Sequence, residues 1–360
     1  MNQFICNTRI VTRPDALQAL QQEKYQRIMV VTDPFFAKNG MAQTVAQAAG
    51  AQCHEIYDGV QPDPTVEQVA AGAAAVKAFS PDCIVALGGG SAMDCAKAMA
   101  YFSGSDAALI AIPTTSGSGS EVTDFAVLTH EKVKYPLVDP RLQPSMAILD
   151  PRFVEQLPPP LVADGGFDVL AHAAESFVAR DATPVTRALA EDAFRTAFAL
   201  LPASFAGRKE ARLPIHIAST MAGMAFSSAG LGVCHAISHA LGGMFHLPHG
   251  RLNAILLPAV IGCNSHAAQA QYARLARLAG IGGSADTVAV RNLKNSLIRL
   301  RSELKLPATL AQGGIPAHLL WSNMNAIVSA ALADPCCKTN PMKIEDFLVR
   351  RILEEVTGRV

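Results

Sequence analysis

The stretch HAISHALGGMFHLPHG, from His235 to Gly250, holds four of the chain's ten histidines. His235 and His239 are four residues apart, so on a helix they share a face. His249 follows a Gly-Gly pair and a proline, in an expected loop that folds it back toward that face. Neutral imidazole is the commonest protein ligand for Zn, Fe, Ni and Cu, so the pattern fits a metal site. It equally fits histidines satisfied in a core or at a solvated helix end, and a carboxylate partner elsewhere would decide. GGFDVLAHAAES (165–176) offers one, since Asp168 and His172 are again four apart on one helix face. Taken alone, that pair also serves as cap plus core. With His249, the two pairs offer a four-ligand set of one carboxylate and three imidazoles. Such a set lacks cysteine and suits a divalent first-row metal with an open position for substrate.

Two glycine loops suggest a second ligand. ALGGGSAMD (86–94) places Gly89 and Gly90 between an expected strand and a helix starting at Ser91. Residues without Cβ let the backbone approach a ligand closely, and a helix N-terminus presents N–H groups to an anion such as a pyrophosphate. PTTSGSGSE (113–121) repeats the device and adds hydroxyls from Thr114, Thr115 and Ser118. Neither loop matches G-x-G-x-x-G, so the standard dinucleotide fingerprint is absent, and a single such loop would also pass as a plain tight turn. Two loops after successive strands favour a ligand. Asp33 ends the first of the main strands. It suits the N-cap of a helix beginning at Pro34, and also a ribose contact that repels a 2′-phosphate.

The elements that must position these residues fall into two kinds. RIMVVTD (27–33), CIVALGGGS (83–91), ALIAIPTTS (108–116) and SMAILDP (145–151) read as buried strands. Between the first two, 41–50 and 65–79 have helical spacing. Strand–helix alternation predicts a Rossmann-like α/β domain with a mainly parallel sheet. EQLPPPLVADGG (155–166), with its three prolines, reads as a hinge or boundary. Beyond it the periodicity is helical: 161–178, 183–201, 211–228, 233–244, 266–279, 284–303, 316–333 and 343–356. The expected organisation is an α/β domain over 1–157 followed by an all-helical domain over 158–360.

Composition narrows the function classes. The 360 residues carry 30 Lys+Arg and 30 Asp+Glu, with no basic run, which argues against nucleic acid as a partner. No apolar stretch reaches about 18 residues and the N-terminus lacks a signal-peptide core, so a soluble cytoplasmic protein is expected. Only 17% of residues are charged, an apolar balance that a homo-oligomer would relieve. The eight cysteines are scattered without a C-x-x-C pair, which points to reduced thiols rather than a disulfide scaffold or a cysteine-based zinc site.

GGGSAMDCAK, IPTTSGSGSEVT, KYPLVDP, MAILDP, GGFDVLAHAAES and GLGVCHAISHALGGMFHLPHG occur in that order along essentially the whole chain. In these motifs the chain resembles the iron-containing (group III) alcohol dehydrogenases, which share a dehydroquinate synthase-like architecture. GMAFSSAGLG and HALGGMFHLPHG resemble most the 1-propanol dehydrogenase branch of propanediol-degrading bacterial microcompartments. The resemblance implies that Asp168, His172, His235 and His249 bind Fe2+, with Zn2+ as the other candidate ion, and that His239 moves protons beside the substrate. His246 matches no ligand position. The resemblance further implies NAD(H) contacts from Gly89, Gly90, Ser91 and Asp94, with Asp63, Thr114, Thr115, Ser118, Thr123 and Lys134 completing the site. Asp33 falls where the family reads the ribose 2′ position, which favours NAD over NADP. Two departures occur: Ser118 replaces a threonine of the second loop, and Phe167 replaces the methionine before Asp168. The implied activity is interconversion of short-chain primary alcohols and aldehydes, propionaldehyde to 1-propanol in particular. A microcompartment shell or an aldehyde-producing enzyme is the implied partner. The alternatives are a polyol or glycerol dehydrogenase, a dehydroquinate synthase-like lyase, or a non-catalytic metal- or nucleotide-binding scaffold.

Overall fold

Four consecutive apolar residues in RIMVV need burial on both faces of a sheet, and the fold supplies it. The structure is a computed structural model that describes residues 4–131 and 133–358. Contacts divide the chain into an α/β unit, Cys6–Leu157, and a helical unit made of the chain from Pro158 onward, with which Phe4 and Ile5 also group. In the first, strands β1 (Arg9–Thr12), β2 (Arg27–Val31), β3 (Cys53–Tyr57), β4 (Cys83–Gly88), β5 (Ala108–Pro113) and β8 (Met146–Leu149) form one sheet. All its pairings are parallel, in the order β1-β8-β5-β4-β2-β3. Helices α1 (Ala19–Gln22), α2 (Pro34–Lys38), α3 (Met41–Ala48), α4 (Val66–Phe79) and α5 (Gly90–Ser103) connect the strands. Ile28 and Val30 of β2 pack with Leu20 and Val45 on one face. Met29 and Val31 pack with Val69, Val76, Cys95 and Met99 on the other. From β2 the chain moves to β3 on one side, and from β4 to β5 on the other. The order therefore reverses between β2 and β4, and the carboxyl ends of those strands mark the place where open α/β sheets take ligands.

The four strands read from sequence are present, each ending two or three residues early, where glycine, threonine or, after β8, Asp150 and Pro151 turn the chain. β1 and β3 gave no buried run because they are the sheet's edges, with mostly exposed or half-exposed residues. An antiparallel pair, β6 (Phe125–His130) with β7 (Val133–Val138), also went unread.

The helical unit contains α6 (Pro159–Val178), α7 (Pro184–Phe205), α8 (Arg212–Ala229), α9 (Val233–Phe245), α10 (His249–Leu278), α11 (Asp286–Glu303), α12 (Leu310–Gly313), α13 (Ala317–Ala333) and α14 (Asp346–Val356). Two expectations need correction here. The proline run falls where the two units divide, but it starts a helix rather than forming a hinge: Pro158 is the N-cap of α6, and Pro159 and Pro160 fill its first turn, where no intrahelical N–H bond is lost. His249 is not in a loop but is the first residue of α10, a helix that continues through Pro258. A kink at Ala268, where φ is −127° and ψ 29°, breaks α10 into two, and its second part answers to the expected helix 266–279. Among the described residues no single helix is long and apolar enough to cross a membrane.

Candidate active site

α6 presents Asp168 and His172 one turn apart, α9 presents His235, and the start of α10 presents His249. One ligand atom from each of the four lies within 4.8 Å of all the others. Asp168 Oδ1 is 4.0 Å from His172 Nδ1, 4.0 Å from His235 Nε2 and 3.6 Å from His249 Nε2. These gaps are too long for hydrogen bonds. They are close to the about 3.3 Å edge of a tetrahedron around an ion with bonds near 2.0–2.1 Å. The donors present therefore fit a shared divalent metal. The rings of His172 and His235 stack at 4.5 Å, and His172 stacks on Phe226 at 4.4 Å, which limits their rotation.

Supporting groups fix the donors. His235 Nδ1 lies 2.7 Å from Glu175 Oε2, which holds the ring proton on that side and leaves Nε2 bare toward Asp168. Glu175 also accepts the backbone N–H groups of Gly232 and Cys234 at the N-terminus of α9. Burial pushes Glu175 up to about 7 against the pull of those N–H groups, and burial among other histidines holds His235 well below its usual range, hence neutral. Asn253 donates to Asp168 Oδ1 at 2.7 Å and accepts from the Ser238 hydroxyl. Arg251 clasps Asp164 of α6 with two hydrogen bonds, at 2.9 and 3.2 Å, and so fixes the first turn of α10. That approach requires Gly250, because a Cβ there would stand 1.9 Å from the Asp164 carbonyl oxygen.

His239 lies outside the four-donor group. Its Nδ1 is 2.8 Å from Asp334 Oδ2, and its ring stacks on His249 at 5.1 Å. The Asp334 carboxylate, although buried, is carried below its usual range by that contact. His246 is the exposed, left-handed C-cap of α9.

In the α/β unit, Gly89 is the N-cap of α5 and Gly90 its first residue, so the first-turn N–H groups, Ser91 among them, point out of the strand end. Gly88 has a φ of +152°, and a Cβ there would meet Ala92 Cβ at 2.5 Å. The second loop packs on this turn: Thr114 N–H donates to the Gly88 carbonyl, and Thr115 and Ser118 flank Gly89 and Gly90. Asp33 caps α2 by accepting from Phe35 and Phe36 N–H through Oδ1, while Oδ2 faces Gly88. Asp63 and Lys134 form an ion pair at 2.6 Å. Asp94 and Thr123 are differently engaged. Asp94 accepts from the Ser120 hydroxyl and Val127 N–H, and Thr123 is fully buried against Lys97. The Lys97 ammonium, itself buried, donates to Ser120, Thr123 and the Phe125 carbonyl, tying β6 to α5. Burial lowers it to about 8, with Asp94 pulling back.

Sequence reading missed Glu175, Asn253, Asp334 and Lys97. Glu175 had a signal, since it lies three and seven residues after His172 and Asp168 on the same helix face. Asp334 had none, because its link to His239 spans 95 positions.

Comparisons with known proteins give the family. Residues 7–151 match the family model described as iron-containing alcohol dehydrogenase, and residues 162–357 match that of the Fe-containing alcohol dehydrogenase family, C-terminal. This chain belongs to the iron-containing alcohol dehydrogenase family. It is 39% identical to the 1-propanol dehydrogenase PduQ of Salmonella typhimurium, covering 99% of this chain and 100% of that protein. It is 38% identical to the NADPH-dependent butanol dehydrogenase of Clostridium saccharobutylicum over 83% of each chain. A solved structure of a 1,3-propanediol oxidoreductase superposes with a TM-score of 0.93 at 31% identity, covering 99% of this chain and 100% of that one.

Proposed function

We propose that this protein is a metal- and NAD(H)-dependent alcohol dehydrogenase that interconverts short-chain primary alcohols and aldehydes, with propionaldehyde and 1-propanol as the favoured pair. The observation that carries the reading is the convergence of Asp168, His172, His235 and His249 on one point. A divalent iron held there supplies Lewis acidity toward the substrate oxygen, and a bound nicotinamide supplies the reducing equivalents. The chain's own residues do the rest. Glu175 and Asn253 hold His235 and Asp168 in register. His239, held at Nδ1 by Asp334, gives a proton to the substrate oxygen through Nε2 during reduction and takes it back during alcohol oxidation. Gly89, Gly90 and Ser91 offer the α5 N-terminus to the cofactor pyrophosphate, beside Thr114, Thr115 and Ser118. Asp63 and Lys134, already paired, border the same cofactor, and Asp94 and Thr123 support its loop from beneath.

Asp33 Oδ2, facing Gly88, repels a 2′-phosphate and favours NADH. The similarity to an enzyme named NADPH-dependent makes this preference worth measuring. Three imidazoles and a carboxylate do not exclude Zn2+, which stands above Fe2+ in general affinity. The protein works in the cytoplasm or inside a bacterial microcompartment beside an aldehyde-producing enzyme, as a homo-oligomer. Co-fractionation with intact shells and light scattering test those two statements.

The functional test is NADH oxidation after anaerobic reconstitution of stripped protein with Fe2+ or Zn2+, across aldehydes from acetaldehyde to hexanal. Iron should give the active form, air should abolish it, and reductant with Fe2+ should restore it. Full activity with zinc and indifference to air reject the iron assignment. No oxidation with any aldehyde rejects the dehydrogenase.

A further inference from the structure

Among the described residues a second set of metal-type donors lies beside the first. A ring nitrogen of His239, a carboxylate oxygen of Asp334 and the sulfur of Cys336 lie within 4.8 Å of one another. None of the three belongs to the four-donor group. They come from two separate places, α9 and the turn Pro335–Lys338, and the turn is built to bring its two donors together. Asp334 accepts the Cys336 N–H at 2.8 Å, so the spacing Asp-Pro-Cys folds thiol and carboxylate toward the same point. The adjacent Cys337 is used otherwise, donating to the Ala331 carbonyl at 3.1 Å. The His239 side chain keeps 33% of its exposure and that of Asp334 14%, so an ion has access from solvent. Burial and the Asp334 carboxylate hold the Cys336 thiol well above its usual range, so a cation bound there must displace the thiol proton.

We propose that His239, Asp334 and Cys336 form a second, inhibitory cation site for a borderline-soft divalent ion such as Zn2+ or Co2+. One imidazole, one carboxylate and one thiolate make a three-donor site whose fourth position water fills. Binding requires the thiol proton to leave to solvent and the His239–Asp334 contact of 2.8 Å to open by about 0.5 Å to a tetrahedral edge. An ion held there takes His239 and Asp334 away from proton movement, so occupancy inhibits. The site itself is independent of the proposed reaction; only the inhibition rests on that reading.

Cobalt distinguishes the two sites because the four-donor group contains no sulfur. Metal-stripped protein carrying Cys53→Ser, which removes the exposed thiol, is titrated with Co2+ and followed by absorbance and bound-metal analysis. The second equivalent should bring a thiolate-to-cobalt charge-transfer band. Cys336→Ser should remove both the band and that equivalent, and Cys337→Ser should keep both. His239→Ala, whose thiol is intact, should weaken the band, so that loss in Cys336→Ser is not put down to misfolding. No band at two equivalents, or a band that survives Cys336→Ser, overturns the site. With iron-loaded protein and propionaldehyde, Cys336→Ser should raise the inhibitory Zn2+ concentration about 10- to 100-fold. Equal inhibition of both proteins with iron released from each places zinc in the four-donor group and overturns the inhibitory role. Absence of any turnover sinks the dehydrogenase reading, while the cobalt band still decides this one.

Discussion

The turn after β4 offers backbone N–H groups set by glycine, whereas the group on α6, α9 and α10 offers side chains set by partners. In the α/β unit the geometry of the glycine loops is local. Gly88 to Ser91 form one strand-to-helix turn, and the second loop rests on it through Thr114 and Thr115. In the helical unit nothing is local beyond one helical turn. Asp168 and His235 are 67 positions apart, and Glu175, Asn253 and the Asp164–Arg251 pair are all needed to hold the donors. Diffuse backbone contacts to an anion tolerate the loss of one partner. A four-donor cation site does not.

The sharpest way to break that contrast is Asp168→Ala. It removes the one carboxylate facing all three imidazole nitrogens, and metal retention and turnover should fall below detection while NADH still binds. Metal content by plasma emission and NADH binding by fluorescence check the two halves. Next come two glycine substitutions that impose the same small change in each region. Gly250→Ala sets a Cβ 1.9 Å from the Asp164 carbonyl oxygen, and Gly88→Ala sets one 2.5 Å from Ala92 Cβ. Each should cost about 1–3 kcal/mol of stability by thermal or urea melts. The first should loosen metal and spare NADH, the second the reverse. If both lose both ligands, the two regions are not separable.

Smaller effects sharpen the picture. Glu175→Gln keeps the shape of the His235 partner but weakens its acceptor, and should lower metal affinity about 10- to 100-fold. Asp33→Ala removes the cap of α2 and the carboxylate facing Gly88. It should cost about 1 kcal/mol of stability and move the kcat/KM ratio toward NADPH. A wild type that already prefers NADPH would show that Asp33 does not read the ribose.

What the sequence made legible follows the same division. The central strands announced themselves because burial on both faces leaves uninterrupted apolar runs. β1 and β3 did not, because edge strands keep exposed residues. The pairs Asp168/His172 and His235/His239 were visible because helical spacing is encoded locally. That His239 stands apart from the donor group came from the family resemblance and not from spacing, since its partner Asp334 lies nearly a hundred positions on. His249 was misplaced in a loop because Pro248 reads as a break, yet Pro248 is the N-cap of α10 and His249 its first residue. Lys97 escaped notice because a buried ammonium has no pattern of its own until Ser120, Thr123 and Phe125 close around it.

The central claim is that His249 holds the metal and its stacked neighbour His239 does not. The most direct measurement is iron content per chain, after anaerobic reconstitution and gel filtration, in His249→Ala and His239→Ala side by side. The account predicts that His249→Ala retains almost no iron and no activity. His239→Ala should retain iron as wild type does, with kcat lowered about 10²- to 10⁴-fold. Equal loss of iron from both variants, or full retention by His249→Ala, would contradict it.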